Sequence, residues 1–426
     1  MTILSQTIAI ETAPAPCQPS AAQARRPSGA RRLARAVAGA AAATLVALMV
    51  GCASDAPVKE EPRPVWPEPP ETARIEFIRT LVDDKDLNKD STANQGVMKF
   101  LSGDTAAINR IVEPMGLTTS PDGNRLYISD FAQGKVFVYD FAKKTSQTIG
   151  QGKLAAPMGV GIDAAANIYV ADSGRGGVQV FDPAGNPLRF ITDKSVERPV
   201  GLAMDLPRNR FYIADSGRTG SAEHSIKIFD LQGKLLGKIG KQIGDIPGSF
   251  LFPTYLTVDS EGNLYVADTL NSRVQKFNSD GKFLREFGKR GTAFGQFDKP
   301  KGVAVDSFGT LYVVDSGWSN VQLFNAKGDV LMFFGGRGTA PGLLQNPSVL
   351  TIDKNNRLYV GDNLNHRVSV YQLINTNPED VAIKGAVAAA AAAEVKAAAA
   401  TAAAAAKAAA APKAPAEAAK TEPAKK

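Results

Sequence analysis

From about residue 114 to residue 373, short runs of alternating apolar and polar residues recur, broken by Asp-Gly, Glu-Gly and Lys-Gly pairs. A period of two carried by β-branched and aromatic side chains predicts half-buried antiparallel strands joined by tight turns. One tetrapeptide marks the register. It reads Tyr-Ile-Ser-Asp, Tyr-Val-Ala-Asp, Tyr-Ile-Ala-Asp, Tyr-Val-Ala-Asp, Tyr-Val-Val-Asp and Tyr-Val-Gly-Asp. These copies end at Asp130, Asp172, Asp215, Asp268, Asp315 and Asp362, spaced by 42, 43, 53, 47 and 47 residues. Upstream of each lies a Pro followed by an apolar run, as in 157–163 and 300–306. Downstream comes a second alternating run, as in 273–277, and most copies add a turn and a fourth run, as in 279–287.

Four strands in a unit of this length are the signature of a β-propeller blade, because a lone sheet cannot bury both faces and radial stacking covers them. The ends of the array support this reading. The last copy has only three runs (348–353, 357–362 and 367–373), whereas 74–81 is an orphan strand ahead of the first copy. The expected fold class is therefore all-β: a six-bladed propeller over 74–376, in which 74–81 supplies the outer strand of the sixth blade. Such a clasp removes an open sheet edge.

The string Pro-x-Gly-φ-Ala-φ-Asp, then Gly-Asn-φ-Tyr-Val-Ala-Asp, then Asn-x-Arg-Val-Gln-x-Phe, where φ is apolar, resembles the NHL repeat. Residues 300–324 and 253–277 carry it best, with Asn271-Ser272-Arg273-Val274-Gln275 especially close. The resemblance spans about 114–373 and implies the same six-bladed propeller. The fourth and sixth copies depart from it, with Tyr255 and Val349 where the Gly should be.

The flanks are different in kind. Arg25, Arg26, Arg31, Arg32 and Arg35 precede an uncharged stretch, 36–51, too short for a spanning helix at about 20 residues. It runs into Met49-Val50-Gly51-Cys52, which resembles a bacterial lipobox. The expectation is a lipoprotein signal peptide over 1–51, lipidation at Cys52, and a Pro-rich tether over 52–73. With Ala53 after that Cys, the chain resembles lipoproteins of the outer membrane, here facing the periplasm. The tail, 377–426, is rich in Ala, Lys and Pro, and is expected to be helical in part or disordered.

The formal net charge is +7, and its distribution decides what it means. Residues 1–51 and 381–426 carry +4 each, leaving −1 for the middle. That near-neutral middle argues against a nucleic-acid partner. Only Cys17, Cys52, His224 and His366 are present among cysteines and histidines. No disulfide framework and no three-His metal site follow from them, and no metal or cofactor is expected. No nucleophile elbow or phosphate loop occurs.

The strand-end Asp residues are expected to serve turns, since Asp bonds its own backbone nearby. Most are followed by a cation. Because strand direction alternates, the loops between second and third strands share a face with the blade-to-blade connections. That face collects Phe131, Arg175, Arg218, His224, Arg273, Trp318 and Arg367, joined by Lys241, Lys289, Arg290, Phe294, Phe297 and Arg337 and by the segment 83–113. Arg and large aromatics are enriched at binding hot spots. The Glu223-His224 pair hints at acid–base work, but loop neighbours are commonly just solvated. The expected function is a membrane-anchored, non-catalytic, monomeric propeller that binds a protein or a polymer such as polysaccharide or peptidoglycan in the bacterial cell envelope. The resemblance implies an alternative, an enzyme similar to the peptidyl-α-hydroxyglycine α-amidating lyase or a lactonase.

Overall fold

A computed structural model describes residues 62–88, 109–221 and 223–375. The expected signal peptide, Cys52, the tail and the middle of the 83–113 segment lie outside the described residues. Two strands precede the repeats: β1 (Val65–Trp66) and β2 (Ile75–Leu81). Blade one comprises β3 (Pro114–Thr119), β4 (Arg125–Asp130), β5 (Lys135–Asp140) and β6 (Thr145–Ile149). Blade two comprises β7 (Pro157–Ile162), β8 (Ile168–Asp172), β9 (Gly177–Phe181) and β10 (Pro187–Ile191). Blade three comprises β11 (Pro199–Asp205), β12 (Arg210–Asp215), β13 (Ser225–Asp230) and β14 (Leu235–Ile239). Blade four comprises β15 (Pro253–Val258), β16 (Leu264–Asp268), β17 (Arg273–Phe277) and β18 (Phe283–Phe287). Blade five comprises β19 (Pro300–Val305), β20 (Leu311–Asp315), β21 (Asn320–Phe324) and β22 (Val330–Gly335). Blade six has β23 (Pro347–Ile352), β24 (Arg357–Asp362) and β25 (Arg367–Leu373), and β2 then β1 complete it.

The clasp lies where the alternation placed it. β2 pairs antiparallel with β25, from Ile75 opposite Leu373 to Leu81 opposite Val368. Ile75, Phe77 and Leu81 are buried, and each such side chain contributes about 1.5–3 kcal/mol of apolar burial. The innermost strands close the ring, each packing on those of both neighbours, with β23 against β3.

One boundary needs correcting. The stretch 62–73, expected to be tether, is part of the propeller's edge. Trp66 packs its ring 5.9 Å from both Phe334 and Tyr371, and β1 adds a fifth strand to blade six. The Pro-rich composition hid two extended residues that pair with Ile75 and Glu76.

Repeat residues hold the blades in register. In blades two, four, five and six the strand-two tyrosines (Tyr169, Tyr265, Tyr312, Tyr359) place their hydroxyls 3.0–3.3 Å from Asp163, Asp259, Asp306 and Asp353 in the preceding hairpin turn. The Gly of the Pro-x-Gly signature is a close-approach residue. A Cβ on Gly116 would lie 2.1 Å from the Met158 carbonyl of the next blade, and one on Gly201 2.3 Å from that of Thr254.

Candidate functional site: the connection face and the axial channel

Each blade is an antiparallel sheet, so its second-to-third-strand loop lies with the connections on one face, and its two other hairpins lie on the opposite face. Contacts across the loops confirm the grouping. Arg290 and Arg337 donate to the Leu270 and Gly317 carbonyls, and the Trp318 indole N–H donates to Gly291.

The strand-end aspartates are rivets in this face. Asp130, Asp172, Asp215, Asp315 and Asp362 each accept two backbone N–H groups from the incoming connection, and Asp268 accepts that of Leu251. Several also cap the turn that follows them, as expected: Asp315 receives the N–H groups of Gly317 and Trp318. Backbone satisfaction of this kind makes a carboxylate structural.

The residues singled out by sequence part company here. Arg273 and Arg367 are only 7% and 9% exposed. Arg273 pairs with buried Asp268 at 2.9 Å and donates to the Ile246 and Ser249 carbonyls. Arg367 donates to those of Thr339, Ala340 and Leu343. These two guanidiniums staple a connection to its blade rather than face a partner, which corrects the expectation. Phe297 is likewise core. His224 is half-buried and accepts the Phe252 N–H on Nδ1 at 3.0 Å; burial lowers its pKa. Glu223 turns instead to Lys238 and Lys227, at 2.8 and 2.9 Å, and they hold its pKa down at about 2. The Glu-His pair is not an acid–base dyad.

Arg175, Arg218 and Trp318 are exposed on the face. Arg175 lies over the Phe190 ring at 4.1 Å and donates to the Lys153 carbonyl. Arg218 borders a depression of about 490 Å³ with Lys194 and Glu197. Around the ring the equivalent loops present Phe131, Arg175, Arg218, Leu270, Trp318 and Leu364 for blades one to six. Blades four, five, six and one thus form an apolar arc, and blades two and three a cationic one. Ile246 and Phe294, exposed in the connections, extend the apolar arc.

The channel carries features that the sequence did not announce. Tyr255, standing where the repeat calls for Gly, reaches across the ring from blade four to donate its hydroxyl to the Met115 carbonyl of blade one. This bar crosses the channel, and burial raises the tyrosine's pKa. Lys301 sits half-buried at the connection-face end of β19, its amine pushed below the usual lysine value by burial and by Lys299. The only sequence signal for Tyr255 was a departure from the repeat, and Lys301, at the free position of Pro-x-Gly, gave none. On the hairpin-face side the inner strands enclose about 370 Å³, lined by Thr118, Gly161, Ala203, Thr257, Ala304 and Thr351 among others, without His, Cys, Asp or Glu.

Residues 80–216 match the family model of the SMP-30/Gluconolactonase/LRE-like region, and residues 250–277 match that of the NHL repeat. No curated protein matches the chain in sequence. Among solved structures, a protein of unknown function from Bacteroides thetaiotaomicron is 17% identical with a TM-score of 0.51, over 63% of this chain and 71% of that one. Virginiamycin B lyase from Staphylococcus aureus, solved with quinupristin as an inactive variant, is 15% identical with a TM-score of 0.45, over 62% and 85%. The calcium-binding protein regucalcin from Agrobacterium tumefaciens is 15% identical with a TM-score of 0.48, over 62% and 90%. Likeness at this level concerns fold alone. The chain is a six-bladed β-propeller that carries an NHL repeat at 250–277. Among the described residues no group of three His, Cys, Asp or Glu is placed to hold a metal.

Proposed function

We propose that this propeller is a binding module of the bacterial cell envelope, anchored through a lipidated Cys52 and engaging a protein partner with its connection face. The observation that carries the reading is the distribution of exposed large apolar side chains. Among the described residues six of them, Phe131, Ile246, Leu270, Phe294, Trp318 and Leu364, lie on the connection face; the remainder sit on outer strands, and the hairpin face has none. Clustered apolar exposure flanked by arginines is the composition of interaction surfaces. A closed disc held by aspartate rivets presents these loops with little ordering cost, which favours affinity.

A lactonase is the second reading, favoured by the match over 80–216. It ranks lower because the channel cavity offers no carboxylate or imidazole to activate water.

Affinity capture from envelope extracts with the full-length chain tests the proposal. Replacing Phe294, Trp318 and Leu364 together by Ala should abolish capture of a partner retained by the wild type, at unchanged thermal stability. Undiminished capture by that variant would overturn it. Metabolic labelling with palmitate should mark the wild type and not Cys52→Ser; equal labelling of both would remove the anchor.

A further inference from the structure

Among the described residues the outer strands of five blades have unpaired edges, and four of them interrupt their apolar residues with polar or charged ones. β6 is Thr-Ser-Gln-Thr-Ile, β10 carries Arg189, β14 carries Lys238 and β18 carries Arg285 and Glu286. Charges on an edge strand are the usual guard against pairing with another chain. β22 is Val-Leu-Met-Phe-Phe-Gly, with no polar side chain. Among the described residues no strand pairs with its outer edge, and Leu331 and Phe333 are half exposed upon it, at 51% and 50%.

Two neighbouring features extend this edge. At one end Phe294 packs on Phe333 in a T-shaped contact at 5.7 Å. At the other, Leu331 and Met332 open into a cleft of about 720 Å³, walled by Pro67 and Pro70 of the N-terminal strap and by Phe308 and Tyr312 of blade five. Asp306 in its wall is already taken up by the Phe308 and Thr310 N–H groups and the Tyr312 hydroxyl. The cleft therefore offers apolar contact from Leu331, Met332 and the prolines, with Glu71 and Arg74 as its charged rim, in the size range of ligand pockets.

We propose that β22 is a strand-addition site, taking an extended apolar segment of a partner protein that pairs with its free edge and inserts side chains into the strap cleft. An edge of unpaired N–H and C=O groups is matched in alternation only by another extended polypeptide, and the apolar side chains beside it set the chemistry of that segment. The chain performs the same operation on its own sixth blade, where β1 adds to β2. This site touches the connection face at Phe294, but it rests on the β22 edge, and L331K/F333K tests it with the connection-face loops left intact.

The test is amide hydrogen exchange on the full-length protein with a millimolar strand-forming peptide, acetyl-Ser-Val-Thr-Leu-Thr-Val-Ser-amide. Its counterpart N-methylated at alternate residues, which lacks the donors for pairing, serves as control. Exchange at 330–335 should slow by at least about tenfold with the first peptide only. The effect should vanish in L331K/F333K, a surface double variant whose thermal unfolding stays that of the wild type. No protection by the peptide, equal protection by the N-methylated form, or protection surviving L331K/F333K would each overturn the proposal. So would protection of 330–335 in the free monomer, which would place a segment of the chain itself on the edge. A doubled mass in solution that L331K/F333K abolishes would assign the edge to a second copy and equally overturn it.

Discussion

Asp268 shows how a repeat signature encodes structure through groups that are far apart in sequence. Its carboxylate accepts the Leu251 N–H at a separation of 17 residues while pairing with Arg273. Burial raises its pKa, against hydrogen bonds from Asn271 and Leu251 and the charge of Arg273. Arg273→Ala leaves that carboxylate buried without its counter-charge, a loss of about 3–5 kcal/mol, whereas Arg218→Ala on the surface should stay within about 0.5 kcal/mol. Urea unfolding of the two variants checks both values. The Asp positions were legible from their periodicity, and so were their turns. Their main partners were not, because the groups they receive are backbone N–H donors, which no side-chain identity marks. His224 gives a pH test. Burial lowers its pKa from the ordinary 6.5, so the unfolded chain takes up the proton first. The neutral acceptor's contribution is complete above about pH 6.5 and should decline as the pH falls below that value. His224→Asn should flatten this part of the stability profile, and an unchanged slope would show that the Phe252 contact does not depend on the imidazole.

At the scale of elements, β2 was readable because alternation survives outside the repeats: residues 75–81 carry Ile75, Phe77, Arg79 and Leu81 on one period. Its partner followed from counting strands, since the sixth copy lacked one. β1 was not readable, because two residues between prolines carry no period at all. Its weight comes from one side chain. Trp66 rests on Phe334 and Tyr371 and lies against Gly342. Trp66→Ala should cost about 2–3 kcal/mol, less than a fully buried aromatic, and Ile75→Ala in the clasp a similar amount. Differential scanning calorimetry of both variants should show lowered midpoints in a single transition. A separate early transition in either would mean that the clasp opens without the ring.

For the whole molecule, the repeat count predicted a ring and the strand directions predicted which loops share a face, but neither ranked the residues on it. Burial does that. Two of the conspicuous arginines turned inward, where their long guanidiniums reach the backbone carbonyls of the connections. Leu270 and Leu364, unremarked in sequence, occupy the loop positions where blades one and five place Phe131 and Trp318. Tyr255 joins blades four and one through the centre. Tyr255→Phe should cost about 1–3 kcal/mol, since it leaves the Met115 carbonyl without that donor, and should leave partner capture unchanged. Chemical denaturation checks the first and affinity capture the second.

Photocrosslinking in intact cells reaches the central claim most directly. A photoreactive residue placed at Trp318 or Leu364 should give one discrete higher-mass adduct. The same residue at Lys282 on the hairpin face or Leu236 on the rim of blade three should give none. Adducts of equal yield from every position, or from the hairpin face alone, would contradict the assignment of the connection face as the surface this propeller uses.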